Sequence, residues 1–155
     1  MIGHFENPEG YELTKTGNRK YYALFSKSEY ICIMDPDEPL TYVTEEGVKM
    51  RTRPRIPTDM GTTPYLTRLL YPKDQYLLSY LLHDEICEYG GLFVKLPDEY
   101  EYVFTEIDRF NGNKLLREMV KAEGCGPIRA WVIKFGTDGA AWVNRFKTRK
   151  TRASE

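Results

Sequence analysis

The sequence has few cysteines, no excess of charge of either sign and no long apolar run, and these shortages exclude several classes of protein. Of 155 residues, 22 are Lys or Arg and 23 are Asp or Glu, so the net charge is −1. This balance removes any global argument for binding nucleic acid. No apolar run approaches the roughly 18 residues that a bilayer span needs. The first residues also lack the basic and apolar segments of a secretory signal. We therefore expect neither a membrane span nor a signal peptide.

The three cysteines are too few and too widely spaced for a disulfide framework. Cys32, Cys87 and Cys125 form no C-x-x-C pair, so the paired ligands of a zinc finger or ribbon are missing. An odd, dispersed set of thiols fits a reducing compartment best. A chain of this length buries roughly 68–70% of its unfolded surface, so it needs neither disulfides nor a metal to fold.

Aromatic residues are abundant, and charge is unevenly distributed along the chain. There are twelve tyrosines and seven phenylalanines, and tyrosine suits interfaces as well as cores. Eight acids and one base fall between residues 84 and 108, whereas residues 147–155 are mainly basic. We expect this basic tail to be a solvated terminus. The alternative is an arm that docks on an acidic partner surface or on nucleic acid.

Hydrophobic periodicity divides the chain into a β-rich part and a helical part. From residue 11 to about 55, short aromatic and β-branched runs are separated by turn clusters, which predicts three or four strands in a small antiparallel sheet. We expect residues 20–25 to pair with 29–34, and 40–44 to pair with 48–51. From about 64 to 146, apolar residues recur at helical spacing. The sequence thus predicts one α+β domain over residues 1–155: a small N-terminal antiparallel sheet, then a helical core of three or four helices.

The helical part contains one segment that is apolar almost all round, which predicts a buried central helix. This helix is expected from Asp74, as its N-cap, to Tyr89, with Gly90 and Gly91 ending it. Residues 91–104 are expected to form a loop with a short hairpin. The predicted helices cover residues 64–70, 74–89, 108–123 and a segment after Pro127, with a last amphipathic turn at 142–146.

His83 and Asp84 are the most informative residues, because they interrupt the apolar central helix. A polar pair inside a buried helix is costly unless something satisfies it. Imidazole takes up a proton near neutral pH, and a neighbouring carboxylate can bind a cation that polarises the group under attack. The alternative is that both side chains only satisfy backbone groups of nearby loops. Cys87, one turn after His83, offers either a second metal ligand or a buried thiol beside a core histidine.

The second long helix carries Arg109 and Asn113 one turn apart. Two helices with a connection of this length usually pack antiparallel, so we expect His83 to lie near Arg109 or Asn113. A turn-forming segment before the central helix adds one further candidate. The predicted site residues are His83, Asp84, Asn113, Arg109 and Asp59, with Asp84 as a metal ligand if a divalent cation is bound.

The order of three motifs resembles a domain family of unknown function that is common in tailed phages and prophages. T-D-x-x-[S/T]-x-P is present as residues 58–64, H-D as residues 83–84, and R-x-x-[A/G]-[D/N] as residues 109–113. The resemblance covers about residues 48–142 and implies phage or prophage origin, with a location in the host cytoplasm or the virion. Two positions depart from the family pattern: Cys87 replaces an aromatic residue, and Asn113 replaces an aspartate. An amide cannot act as a charge partner for an imidazolium, so a catalytic set would be weakened or lost here.

The His-Asp pair is also similar to the helix pair of phospholipases A2. By position, this similarity implies that His83 is the base, Asp84 the calcium ligand and Asn113 the residue that orients the histidine. The glycine-rich calcium loop and the disulfides of that family are missing from this sequence.

Three functions remain open on the sequence alone. The first is a phage accessory or virion-associated protein with a hydrolase-like His-Asp pocket, active or vestigial, that binds other phage proteins through its tyrosine-rich sheet or basic tail. The second is a hydrolase with His83 as general base and Asp84 as ligand of a divalent cation. The third is a small module that binds a host factor.

Overall fold

The computed structural model describes residues 3–15, 20–22, 25–27, 30–58 and 75–152. Within these ranges it contains ten strands and three helices, which confirms the α+β class with an N-terminal sheet and C-terminal helices. No helix in the described ranges is both long and apolar enough to cross a membrane. The strands are β1 (His4–Glu6), β2 (Tyr11–Lys15), β3 (Lys20–Tyr22), β4 (Phe25–Lys27), β5 (Tyr30–Met34), β6 (Thr41–Val43), β7 (Lys49–Arg51), β8 (Arg55–Thr58), β9 (Gly91–Lys95) and β10 (Val103–Glu106). The helices are α1 (Leu77–Tyr89), α2 (Arg109–Ala122) and α3 (Pro127–Arg152).

All the described strand pairs are antiparallel, but they form three sheets rather than one. The order is β1-β6-β7-β9-β10 in the largest sheet and β2-β5-β8 in the second, while β3 and β4 form a hairpin. The hairpin of β6 and β7 confirms the pairing expected for residues 40–51. The pairing expected between residues 20–25 and 29–34 is wrong, because β3 pairs with β4 and β5 lies between β2 and β8. Alternating apolar runs indicate strands but do not specify their partners.

The hairpin expected within residues 91–104 is present as β9 and β10, and it does not stand alone. Strand β9 also pairs with β7, so the largest sheet takes strands from both sides of α1 in the chain. The β-rich part of the sequence therefore does not end at residue 55. Local periodicity could not reveal this pairing, because it joins segments about forty residues apart.

Helix α1 begins at Leu77 rather than at the expected residue 74, and its first turn is capped from a distance. The side chain of Tyr76, at the N-cap position, makes no hydrogen bond to the free amides of this turn. The carboxylate of Glu123 does so instead, accepting from Leu78 N at 3.3 Å and Ser79 N at 2.9 Å. The helix ends as expected at Gly90, whose φ of +77° is the left-handed conformation that favours glycine. The expected helix at 64–70 and the expected cap at Asp74 lie outside the described residues.

Helix α2 has the expected bounds, because Asp108 caps its start and Gly124 follows its end. The Asp108 carboxylate accepts from Phe110 N at 2.9 Å and Asn111 N at 3.1 Å. Helix α3 is longer than expected: it runs without a break through Arg152. The separate turn expected at 142–146 and residues 147–152 of the expected tail are therefore parts of one helix, and residues 153–155 lie outside the described ranges.

The core is built around α1, which packs on strands β8 and β9 and on helix α2, while α3 packs on the other side of α2. The largest sheet and the second sheet both contribute to one continuous cluster of buried apolar side chains. Its largest fully buried members are Leu40, Ile56, Leu81, Leu82, Ile86, Leu92, Leu116, Met119 and Val120.

Candidate functional site

The candidate site lies where α1 crosses α2 and centres on His83. The imidazole is buried, and its Nε2 atom lies 2.7 Å from Oδ1 of Asn113. Asn113 is itself only 2% exposed. The expected approach of His83 to Asn113 is therefore present, as a short hydrogen bond between two buried side chains.

A glycine on α2 allows the two helices to come this close. A Cβ atom at Gly112 would lie 3.0 Å from Cγ2 of Ile86, which is tighter than nearly all real contacts of that kind. Gly112 directly precedes Asn113, and Ile86 lies one turn after His83. The missing side chain thus brings the amide within hydrogen-bonding distance of the imidazole.

Asn113 is held on its other side by helix α3. Its Nδ2 atom donates to Oδ1 of Asp138 at 2.7 Å, and Lys134 pairs with the second oxygen of that carboxylate. A chain of contacts therefore runs from Lys134 through Asp138 and Asn113 to His83. Asp138 was not among the predicted site residues, because the sequence does not fix which face of α3 turns inward. It follows buried Ala130 and half-buried Lys134 at steps of four, so it lies on the inner face of α3.

Asp84 faces a different element from its neighbour, as expected for consecutive residues of a helix. Its carboxylate accepts a hydrogen bond from the hydroxyl of Thr58, the last residue of β8. Thr58 opens the first of the three motifs, so its side chain joins that motif to the His-Asp pair. Asp84 is half-buried, and Thr58 is buried.

Cys87 contacts the ring of His83 rather than one of its nitrogen lone pairs. The sulfur lies 3.8 Å from Nδ1 and 3.9 Å from Nε2. An atom nearly equidistant from both ring nitrogens at this range lies over the face of the ring, because a position in the ring plane would overlap Cε1. This geometry suits a polarisable sulfur packed on an aromatic ring, and it does not align a thiol proton with a base.

The structure does not gather all five predicted residues. Arg109 is the first residue of α2, one turn before Asn113, and its side chain is exposed. Asp59 lies outside the described residues. The structure joins His83 to Asn113 and places Asp84 against Thr58, so the site has two neighbouring centres on adjacent faces of α1.

The described residues do not by themselves provide a complete metal site. Nowhere in these ranges do three or more His, Cys, Asp or Glu side chains lie together so that they could hold a metal ion. Calcium takes six to eight oxygen ligands. Thr58 gives the Asp84 carboxylate a hydroxyl neighbour, which is far from such a set.

The chain matches no protein-family model, no curated protein and no solved structure. The resemblance to a phage domain family therefore remains a prediction that rests on the three motifs.

Proposed function

We propose that this chain is a phage accessory or virion-associated protein with a hydrolase-like centre, in which His83 is the general base. The observation that carries the proposal is the bond of 2.7 Å between His83 Nε2 and Asn113 Oδ1. A histidine that acts as a base must be held in one orientation, and a buried partner on one ring nitrogen provides this.

The chemistry follows from which nitrogen Asn113 engages. Because Nε2 bonds to the amide, proton transfer takes place at Nδ1. In the proposed reaction Nδ1 takes a proton from a water molecule as its oxygen attacks the carbonyl carbon of an ester or amide. The imidazolium then returns that proton to the leaving group, so the enzyme ends the cycle unchanged. Asn113 keeps the ring in place throughout.

A direct test compares turnover by the wild type with turnover by His83→Ala on ester, peptide and cell-wall substrates. We expect loss of roughly 10²–10⁴-fold, the usual contribution of a general base. His4→Ala is the matched control, because His4 is the other of the two histidines and is exposed on β1. Equal turnover by folded His83→Ala would contradict the base role. Lack of turnover by the wild type would contradict an active centre and favour the accessory role with a vestigial pocket.

Association with phage particles is the second part of the proposal, and the order of the three motifs supports it. The hydrogen bonds from Thr58 to Asp84 and from His83 to Asn113 link residues of all three motifs. They hold β8 to α1 and α1 to α2. Mass spectrometry of purified particles from a phage that encodes this chain tests the association. Particles that lack the protein would contradict a virion location.

The alternative of a phospholipase-A2-like hydrolase assigns a divalent cation to Asp84. The half-buried carboxylate and its hydroxyl neighbour Thr58 favour it, but the described donors fall short of a calcium shell, so we derive no step through the ion. Calorimetric titration with Ca²⁺ tests this alternative. The alternative predicts that the wild type binds Ca²⁺ and that Asp84→Asn does not. A wild type that does not bind Ca²⁺ would contradict it.

A further inference from the structure

We infer that Asp138, on helix α3, is a positioning residue that acts through Asn113 to select the tautomer of His83. The inference concerns the same centre as the proposed function, and it makes α3 part of that centre. It depends on the two bonds of Asn113, each 2.7 Å long, one to Asp138 and one to His83. Its test below reads the histidine ring directly and does not depend on turnover.

The direction of the first bond follows from the chemistry of a carboxylate. An ionised carboxylate only accepts hydrogen bonds, and the other oxygen of Asp138 pairs with the ammonium group of Lys134. The Asn113 atom that faces Asp138 must therefore be the amide nitrogen. This contact fixes an orientation that an amide alone leaves open, since its oxygen and nitrogen have nearly the same shape.

The second bond then sets the position of the proton on the ring. With its nitrogen turned to Asp138, Asn113 presents its oxygen to His83, and an amide oxygen only accepts. His83 Nε2 must therefore carry a hydrogen. In the neutral ring this leaves Nδ1 as the basic nitrogen, which is the atom that general-base catalysis at this centre requires.

The two bonds also explain why position 113 holds an amide rather than an aspartate. Asn113 must donate to one neighbour and accept from the other, and a carboxamide does both with one planar group, whereas an ionised carboxylate only accepts. An aspartate at 113 would place a carboxylate 2.7 Å from the carboxylate of Asp138. Two carboxylates that share a site cannot both ionise readily. Exchange of the residues at 113 and 138 keeps one of each kind: the amide at 138 then donates to the carboxylate at 113, and that carboxylate still accepts from His83 Nε2.

Charged and titratable groups approach His83 from several elements. Among the described residues, Asp84 and Cys87 lie on α1, and Thr58 of β8 contacts Asp84. Across α2, the pair formed by Asp138 and Lys134 lies behind Asn113. In the double variant Asn113→Asp/Asp138→Asn the negative charge moves from position 138, which reaches the ring only through residue 113, to position 113, which bonds to the ring directly.

The test is ¹⁵N NMR of the full chain labelled in its histidine rings. The chain has only two histidines, and exposed His4 provides the internal reference. For the wild type at a pH where the ring is neutral, we expect the Nε2–H tautomer of His83. Asp138→Ala should produce a mixture of both tautomers, because the amide can then turn over. Ile128→Ala is the control on the same helix, since Ile128 is exposed there, and we expect it to keep the wild-type tautomer.

The double variant makes the inference falsifiable even where Asp138→Ala does not fold. It should restore a pure Nε2–H tautomer and raise the pKa of His83 above the wild-type value, because a carboxylate then bonds to the ring directly. A wild-type Nδ1–H tautomer would overturn the inference, as would a folded Asp138→Ala variant with an unchanged tautomer. So would a double variant without the rise in pKa. Full turnover by a variant with the changed tautomer would instead contradict the base role of His83 and leave this inference standing.

Discussion

At the scale of single residues, Asn113 does the most to define the site. Its amide is almost fully buried and uses both of its polar atoms, one on an imidazole and one on a carboxylate. A buried polar group with all its partners costs little, whereas removal of one partner leaves the others unsatisfied. Substitutions at this position should therefore affect stability as well as any activity.

We expect Asn113→Ala to lower the free energy of unfolding by about 2–5 kcal/mol. The change removes the bond that Asn113 makes to the ring of His83 and the bond that it makes to Oδ1 of Asp138, and each buried polar atom that loses its partner costs about 1–3 kcal/mol. Urea denaturation followed by circular dichroism measures this loss. Asn111→Ala is the control, since Asn111 is exposed on the same helix, and its effect should be about 1 kcal/mol or less. Equal losses for both variants would contradict the argument.

Glu85 is a second buried polar residue, and its pairing is incomplete. One oxygen lies 2.6 Å from a nitrogen of Arg53, while Oε2 is buried and has no hydrogen-bond partner among the described residues. Arg53 is also stacked between rings, with its guanidinium 4.0 Å from the centroid of Tyr89. Burial raises the pKa of Glu85, and the contacts with Arg53 offset this rise only in part.

The raised pKa gives stability a definite dependence on pH. The folded state holds the Glu85 proton more tightly than the unfolded state, so the free energy of unfolding should fall as pH rises from about 4.3, the unfolded value, to the raised pKa. Above that range the contribution stays constant. Glu85→Gln cannot titrate, so the stability of the wild type minus that of the variant isolates this term. A difference that increases with pH over the same range would show that the ion pair outweighs burial.

Residues of unusual chemistry could be identified from the sequence, whereas side chains that only the fold brings close to them could not. A histidine inside an apolar helix indicated a polar centre, and the helix connection predicted its approach to Arg109 or Asn113, of which the structure shows Asn113. Asp138 is 25 positions further along the chain, on a helix whose rotation about its axis depends on packing against α2. No local pattern fixes that rotation, so the group that anchors the amide could not be assigned from sequence.

At the scale of secondary structure elements, the start of α1 depends on a residue from the end of α2. Glu123 accepts from the backbone amides of residues 78 and 79 and from the hydroxyl of Ser79. Free amides at a helix start need acceptors, and an N-cap side chain normally supplies one. Here the cap comes from 44 positions away, which also ties the two helices that carry His83 and Asn113 together.

We expect Glu123→Ala to cost about 1–2 kcal/mol, the usual value of a helix cap, and to release the first turn of α1. Hydrogen exchange measures the local effect: the amides of Leu78 and Ser79 should exchange faster, while amides in the middle of α1 should change only by the global loss of stability. Glu88→Ala is the matched control, because Glu88 is exposed on the same helix. Unchanged exchange at Leu78 and Ser79 would show that Glu123 does not cap α1.

At the scale of the whole molecule, the sheets and the helices share one core. The cluster of buried apolar side chains includes Tyr42 and Leu92 from the largest sheet, Ile56 from the second, and Leu116 and Ile133 from α2 and α3. The α+β class could be predicted from local periodicity, but this sharing could not, because it depends on β9 pairing with β7 across α1 in the chain. A continuous core predicts that sheet and helices unfold together.

Substitution of Gly91 tests whether the sheet and the helices unfold together, because Gly91 joins α1 to the largest sheet. A Cβ atom at this position would lie 2.2 Å from the backbone oxygen of Thr105 on β10, so an alanine there must force two paired strands apart. We expect Gly91→Ala to cost about 1–3 kcal/mol or more. Gly126→Ala is the matched control, since a Cβ there meets no neighbouring atom within 4 Å.

The optical probes report different parts of the molecule, which makes cooperativity measurable. Both tryptophans, Trp131 and Trp142, lie in α3, whereas far-UV circular dichroism reports every strand and helix. If one core holds the molecule together, Gly91→Ala should shift the urea midpoint of tryptophan fluorescence as far as that of circular dichroism. A fluorescence midpoint that stays at the wild-type value would mean that α3 unfolds independently of the sheet. In that case only two interactions would hold Asp138 at the site: the bond from Asn113 to its carboxylate and the packing of α3 on α2.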